Sequence, residues 1–479
     1  MAVMAVALYL YRDAFRGFFE QDDFSWLWYS RFQTIHDWLR CFFCFNGAGT
    51  YRPLSQETFF WLGQKVFGLQ PLGFHLVSAA CHLAASVLVY RLLRMFCPPL
   101  QSLVSTLFFV VHNAHFSSLF WISALPEPLA LTFYLAALIS FIHYDREDDR
   151  RSYFLSLAFM GLALLSKESI LSLPFVLAAY CLIFRSKRLQ QTLPHFLLSG
   201  VYLLLRVTSS SVKAAPYSLT FGRDALQNLY SYLTWSSGLS GVLLRFKLKW
   251  NPEEAYPWVA LIVALILIGL LSLSRNRRAA FFAVTWYFLA LQPVLYFSGH
   301  IYSYYLGPAL PAISLLLAGS LPSLRSPFDW RRWAPVLLLL YLSIGTSLAS
   351  LRREGKIWND RSFIARDIIA QMAGVAKEVP PRRKTFILGL GEREFGPMQG
   401  DLALRVFGFQ PDSFVLVGVN EDTTRAFEKA ITDHRENEFS CFFYDKGGFT
   451  NVTDPFHRDP ERFLSPIRPA KSFNGRMEH

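Results

Sequence analysis

Along the first 350 residues the apolar positions come in repeated blocks of about 15 to 25, the pattern of a chain that crosses a membrane many times. A helix rises about 1.5 Å per residue and needs close to 20 residues to cross the hydrocarbon, fewer where its ends are buried in protein. Eleven spans are predicted on this basis, near residues 1–11, 72–96, 100–118, 128–143, 152–166, 169–184, 192–206, 257–274, 279–297, 303–320 and 334–350. The first is too short to cross alone and is followed at once by Arg12, Asp13 and Arg16, so residues upstream of Met1 are expected to complete it. A signal peptide is the competing reading, but the segment has neither a basic leader nor a small-residue cleavage site.

Lys and Arg resist translocation, so basic short loops mark the cytoplasmic side. Every second loop is basic: Arg91 and Arg94; Arg146, Arg150 and Arg151; Arg185, Lys187 and Arg188; Arg275, Arg277 and Arg278; Arg325, Arg331 and Arg332. The opposite set is then extracytoplasmic, and comprises 12–71, 119–127, 166–168, 207–256, 298–302 and everything after 351. From 351 the composition becomes that of a soluble domain, with a helical pattern at 361–378, a break at Pro380-Pro381, and strand-like runs at 385–390 and 413–419. The predicted organisation is an α-helical polytopic membrane domain, 1–350, followed by a small extracytoplasmic α/β domain, 351–479.

Composition agrees, since 53% of the 479 residues are hydrophobic, 16% aromatic and only 17% charged, against roughly 25% charged in ordinary soluble domains. Disorder, collagen and disulfide scaffolds are thereby excluded. The balance of 47 Lys+Arg against 35 Asp+Glu, a formal +12, reads as topology, and nucleic acid is not an expected partner. Six scattered cysteines form no disulfide framework; Cys41 and Cys44 make one C-x-x-C, with no second pair to complete a zinc site.

The polar residues needing an explanation fall on the outer side. Glu20-Gln21-Asp22-Asp23-Phe24 closes the first apolar segment, and adjacent acids there could share a proton, bind a cation or act as a general base. The alternative is that they cap an interfacial amphipathic helix at 24–32. Arg52, in Tyr51-Arg52-Pro53-Leu54, carries the planar fork suited to a phosphate. His75 and His82 lie seven residues apart on one helical face, too far for one metal ion. Glu127 introduces the fourth span, while Lys167 and Glu168 fill a very short outer turn where they could meet an anionic head group or cap helices. His300, Tyr302, Tyr304 and Tyr305 lie at another outer turn. Arg245, Lys247 and Lys249 form a basic cluster in 207–256 that reads as a solvated face.

Taken together, the Asp22-Asp23 pair, YRPLSQETFFWLGQKVFGLQPLGFHLVSAACHLAASVLVY at 51–90, WISALPEPLA at 121–130 and LLSKESILSLPFVLAAY at 164–180 closely resemble the membrane-embedded C-superfamily (GT-C) glycosyltransferases. The nearest likeness is to bacterial homologues of the transmembrane O-mannosyltransferases, with protein O-mannosyltransferases and aminoarabinose transferases as cousins. The resemblance covers roughly 12–350. It implies an inverting transferase that takes a sugar, a mannose-like hexose favoured, from a polyprenyl-phosphate carrier to an extracytoplasmic acceptor hydroxyl. It also implies a base in the first outer loop, which matches Asp22, with Asp23 as the alternative. Arg52, then Lys167 and His300, match phosphate binding, and Glu127, Glu168, His75 and Tyr304 match sugar-binding or orienting roles.

Two departures from the pattern stand out. Ser303 occupies a position where relatives often carry Arg, and the long helical repeat array of the animal enzymes is replaced by the α/β domain. A bacterial inner-membrane protein with its site facing the periplasm fits this better, with the acceptor, protein or glycan, left open. No obligatory metal is expected, although Asp22 and Asp23 could hold Mg²⁺ or Mn²⁺. The rival classes are a glycan polymerase or ligase using a diphosphate donor, a transporter and a membrane scaffold. A transporter would place its ionisable residues near the bilayer midplane, whereas here most lie at the outer ends of spans.

Overall fold

The structure, a computed structural model, describes residues 2–43, 50–209, 219–246, 249, 251–298, 300–322, 330–380, 383–410, 413–418, 421–432 and 439–458. The chain divides into two compact units, Met1–Phe15 with Phe32–Lys356, and Arg16–Arg31 with Ile357–His479. The division places part of the expected first outer loop, residues 16–31, with the C-terminal unit.

In the first unit a helix coincides with each predicted span, but the described residues contain five helices long and apolar enough to cross a membrane. These are Pro71–Arg94, Ile122–Glu147, Pro252–Leu273, Arg277–Leu295 and Val336–Glu378; a sixth is reached if Pro99–Val111 and Asn113–Phe120, bent by 47°, form one span. The unit is thus that of a multi-pass membrane protein. The bend occurs at His112, whose extended backbone leaves the helix while its Nδ1 accepts the Ala114 N–H at 3.1 Å. Proline shortens another expected span. Over 303–320 only Leu310–Ser320 is α-helical: Pro308 and Pro311 have no backbone N–H to donate to a preceding turn, and residues Ser303–Leu306 form a tight turn instead.

Helix ends follow their local chemistry. Pro71 occupies the first turn of Pro71–Arg94 and Arg91 and Arg94 the last, and the Asp149 side chain accepts the Arg151 and Ser152 N–H groups to start Arg150–Ser166. The interior is aromatic, with Trp286 donating from Nε1 to the Tyr134 hydroxyl at 2.9 Å among fully buried Phe108, Phe141 and Phe282. Buried hydroxyls return to their own helices: Ser86 donates to His82 O at 2.8 Å and Thr106 to Ser102 O at 2.7 Å. Such pairing is required where no water can satisfy a polar group.

The second unit holds a four-stranded sheet in the order β2-β1-β3-β4. β1 (Lys384–Leu388) runs parallel to β2 (Phe414–Leu416) and β3 (Phe439–Asp445), and β4 (Gly448–Asn451) runs antiparallel to β3. Phe386 pairs with Val415 on one side and Cys441 on the other, and it packs with Phe427, Phe439 and Phe456 in the core. Gly389 ends β1 at φ +84°, where a Cβ would fall 2.5 Å from the Tyr444 carbonyl oxygen, so no side chain fits. The predicted strands at 385–390 and 413–419 correspond to β1 and β2. The predicted helix at 361–378 is the end of one continuous helix, Trp330–Glu378.

Candidate active site

In the first unit the chain around Arg52 is shaped by Pro53, which opens a wide helical turn, Pro53–Thr58. The Ser55 hydroxyl in this turn donates to the Ser166 carbonyl oxygen at 2.6 Å, fastening the Arg52 segment to the Lys167-Glu168 turn. Arg52 and Glu168, 116 residues apart in sequence, form a fork-to-fork pair, Nε to Oε2 at 2.8 Å and Nη2 to Oε1 at 2.6 Å. Arg206 Nη1 lies 3.0 Å from the same Glu168 Oε2, so two guanidinium groups share one buried carboxylate. Lys167, 4% exposed, is ion-paired with Glu127, 6% exposed.

Aromatic rings close the cluster. Lys167 Nζ lies 5.1 Å from the Tyr304 ring centroid and 4.9 Å from that of Tyr305. The His300 ring is 4.8 Å from Tyr302 and 6.0 Å from Tyr305, and Tyr302 stacks on Tyr304 at 5.0 Å. Burial, with Lys167 and Arg52 adding to it, holds the His300 imidazole down at about 4, so it is neutral near pH 7. Burial also draws the Lys167 ammonium below the usual lysine range, against the pull of Glu127. Counting Arg52, Arg206 and Lys167 against Glu127 and Glu168, the ionised cluster carries 3 − 2 = +1.

Five residues singled out in the sequence, Arg52, Glu127, Lys167, Glu168 and Tyr304, therefore meet here, and His300 is joined to them through the tyrosines. Arg206 was not among them. Its signal was its position: it closes the span at 192–206 at the end the charge alternation assigns to the outside, where a basic residue needs a reason. His75 is buried with Nδ1 3.2 Å from the Leu119 carbonyl oxygen. His82 lies with Nε2 3.2 Å from Val110 O and its ring 4.6 Å from that of His115.

Asp22 and Asp23 belong to the second unit. They are the first two residues of the helix Asp22–Tyr29, which corrects the expectation of an Asp-capped helix at 24–32. The capping position is Gln21, whose side chain makes no cap hydrogen bond and whose backbone has φ 51° and ψ −125°, a conformation costly for any residue but glycine. Gln21 N–H donates to Pro397 O at 2.8 Å, and Glu20 N–H to Asp23 Oδ2 at 3.0 Å. Gln399 Nε2 donates to Asp22 Oδ1 at 3.2 Å.

Beside them the Glu20 carboxyl is 2% exposed, with Arg361 Nε 3.5 Å from Oε2. Burial, countered by Arg361 and reinforced by Asp23 and Asp22, pushes Glu20 up to about 8.

Among the described residues no group of three or more His, Cys, Asp and Glu side chains is arranged to hold a metal ion. The Asp22-Asp23 pair, read as able to take Mg²⁺ or Mn²⁺, thus has no third ligand of these types completing such a site. Cys41 is a buried free thiol, and its C-x-x-C partner Cys44 lies outside the described residues, as does Lys247.

Comparison with known proteins bears on the first unit above all. Residues 52–211 match the family of dolichyl-phosphate-mannose-protein mannosyltransferases. The protein O-mannosyl-transferase TMTC3 of Mus musculus is 32% identical over 92 residues, covering 19% of this chain and 10% of the relative. A protein O-mannosyl-transferase of Caenorhabditis elegans is 29% identical over 156 residues, covering 32% of this chain and 22% of the relative. The chain thus spans a small part of the length of these curated relatives. Among solved structures, ArnT from Cupriavidus metallidurans bound to undecaprenyl phosphate aligns with a TM-score of 0.53 at 15% identity, covering 92% of each chain. In its apo state the same protein aligns at 0.52 and 15%, covering 97% of this chain and 94% of that one. The fold is therefore ArnT-like, and family match, relatives and fold agree with the motifs in their resemblance to the C-superfamily membrane glycosyltransferases.

Proposed function

We propose that this chain is an inverting glycosyltransferase that moves a sugar, a mannose-like hexose, from a polyprenyl monophosphate to an acceptor hydroxyl on the extracytoplasmic side of a bacterial inner membrane. The observation that carries the reading is the cluster of buried Arg52 and Lys167 with partly exposed Arg206, which holds one more positive charge than Glu127 and Glu168 supply negative. A sugar joined to a polyprenyl phosphate is a phosphodiester with one negative charge, the complement of +1; a diphosphate donor would bring a larger excess. The O-mannosyltransferase relatives and the undecaprenyl phosphate bound by ArnT support the same donor class.

The chemistry follows from the charges. An acid of the acidic turn, Asp22 with Asp23 as the alternative, takes the proton of the acceptor hydroxyl. The oxygen forms a bond to the anomeric carbon as the bond from that carbon to the phosphate oxygen breaks. The electron pair leaves with the lipid phosphate, whose growing negative charge is met by Arg52, Arg206 and Lys167 in a poorly hydrated setting. A single in-line displacement inverts the anomeric configuration. Glu127 and Glu168 hold the cations in place, Tyr304 and the neutral His300 line the site, and His75 keeps the sugar-binding or orienting role that the resemblance implies. In this reading no metal is obligatory, and loss of activity in a chelator with recovery on Mn²⁺ would overturn that part.

The test is transfer from radiolabelled polyprenyl-phosphate mannose, and from a panel of other polyprenyl-phosphate sugars, by protein in lipid nanodiscs. The wild type should consume a donor, one of Asp22→Asn and Asp23→Asn should abolish consumption, and Arg52→Ala should weaken it. Intact donors throughout, accompanied by lipid flux across the bilayer, would replace the transferase with a transporter.

A further inference from the structure

The C-terminal unit has so far no part in the chemistry, yet the acidic turn is folded into it. The anchors come from separate parts of that unit. The helix ending at Glu378 supplies Ser362, whose Oγ accepts the Phe18 N–H at 3.1 Å, and Arg361 against the buried Glu20 carboxyl at 3.5 Å. The last turn of the short helix Glu392–Met398 supplies Pro397 O for Gln21 N–H at 2.8 Å, and the residue that caps it, Gln399, donates to Asp22 at 3.2 Å. The helix Leu402–Val406 supplies the Val406 carbonyl oxygen to Arg31, and Phe407 packs against Phe18 at 5.9 Å between ring centroids.

Between these anchors Gln21 stands at φ 51° and ψ −125°, and the donor to Asp22, Gln399, is itself left-handed at φ 50°. Two non-glycine residues in disfavoured conformations on either side of one hydrogen bond persist only where the surroundings over-determine them. Helix propensity does not ask for this turn: Asp22 and Asp23 are acids of the first helical turn, which needs no left-handed residue at Gln21 before it.

We propose that the C-terminal unit is the mount of the acidic turn, with Gln399 a positioning residue that orients Asp22 and with buried Glu20 and partly exposed Arg361 a strut that keeps the Gln21 turn in its distorted state. The proposal rests on the reading of Asp22 or Asp23 as the base. It makes the α/β unit a part of the catalytic apparatus, acting through geometry and not through contact with the sugar. Gln399 presents an N–H to Oδ1 of Asp22, and an amide there fixes the carboxylate without adding charge.

The experiment uses the full chain in nanodiscs, with two readouts. Hydrogen exchange read by mass spectrometry follows peptides across residues 18–26, and steady-state transfer from polyprenyl-phosphate mannose separates kcat from KM. Gln399→Leu, which keeps the bulk and removes the donor, should lower kcat at least tenfold with the donor KM within twofold. Glu20→Ala and Arg361→Ala should speed exchange in the 18–26 peptides at least tenfold and lower kcat, whereas Glu20→Gln, of the same shape, should restore both. Unchanged exchange and unchanged kcat in Gln399→Leu and Glu20→Ala would overturn the mount. The outcomes separate the two readings: faster exchange in Glu20→Ala together with full activity in both Asp22→Asn and Asp23→Asn leaves the mount standing and removes the base. Should no donor in the panel be consumed, exchange alone decides the mount.

Discussion

In the first unit Glu127 meets Lys167, and Glu168 meets the guanidinium groups of Arg52 and Arg206, so each of these two carboxylates faces a basic side chain at hydrogen-bonding distance. In the second unit Asp22 takes a neutral amide N–H from Gln399, Asp23 takes the backbone N–H of Glu20, and the Glu20 carboxyl stands 3.5 Å from Arg361. On the side of the cationic cluster the arrangement suits the proposed reading. A cationic cluster that must receive and release an anion keeps its charges paired while empty, because an uncompensated ion in a poorly hydrated interior is costly.

The largest effect that would break this contrast comes from leaving one partner of a buried pair behind. Lys167→Met, with Glu127 unpaired, should cost about 3–5 kcal/mol of stability, and Lys167→Met with Glu127→Gln should recover most of it without recovering transfer. Thermal unfolding in nanodiscs measures the first part and the donor assay the second; equal stabilities of the single and double variants would mean that the pair is not the buried ion pair described.

Next comes the pH response of the second unit. Glu20 sits at about 8 when folded and near 4.5 when unfolded, so between those values the folded state binds more protons. Its contribution is fully present below pH 4.5 and is lost as the pH rises to about 8, by on the order of a few kcal/mol. Glu20→Gln should flatten that slope, and a slope of the same size in the variant would remove Glu20 as its source.

A smaller effect separates shape from charge in the first unit. Arg52→Lys keeps the cation but loses the fork on Glu168, and should weaken apparent donor affinity by about 2 kcal/mol, roughly thirtyfold in KM. Unchanged KM would mean that only net charge matters there. The smallest effect concerns strain. Gln21→Gly should raise the stability of the second unit by about 1 kcal/mol, since glycine adopts φ 51° and ψ −125° at little cost; a loss of stability would show that the Gln21 side chain contributes more than its backbone costs.

The spans were legible because an apolar stretch long enough to cross a bilayer has few other uses in a protein. Where the reading overran, at 303–320, proline had cut the helix short, and the signal lay in Pro308 and Pro311. The sheet was half legible: TFILGL and SFVLVGV show as strands, but β3 was missed despite its phenylalanines, and β4 is only four residues long. The site divides in the same way. Arg52 and Lys167-Glu168 could be picked out as polar residues at the ends of spans. Their convergence could not, because a pairing across 116 residues is made by tertiary packing and leaves no local pattern. The acidic pair was visible too, yet nothing near Asp22 in sequence says that its neighbours in space come from 361, 397 and 399.

The excess positive charge of the cluster of Arg52, Arg206, Lys167, Glu127 and Glu168 has a consequence for the bench. In the proposed reading, a cluster with one excess positive charge draws counter-ions from whatever solution surrounds it, and small anions contend with the donor phosphate for the same guanidinium groups. Phosphate or sulfate in a purification buffer is then an inhibitor supplied with the enzyme, and its grip will weaken less with added inert salt than that of a surface site, because buried charges are poorly screened.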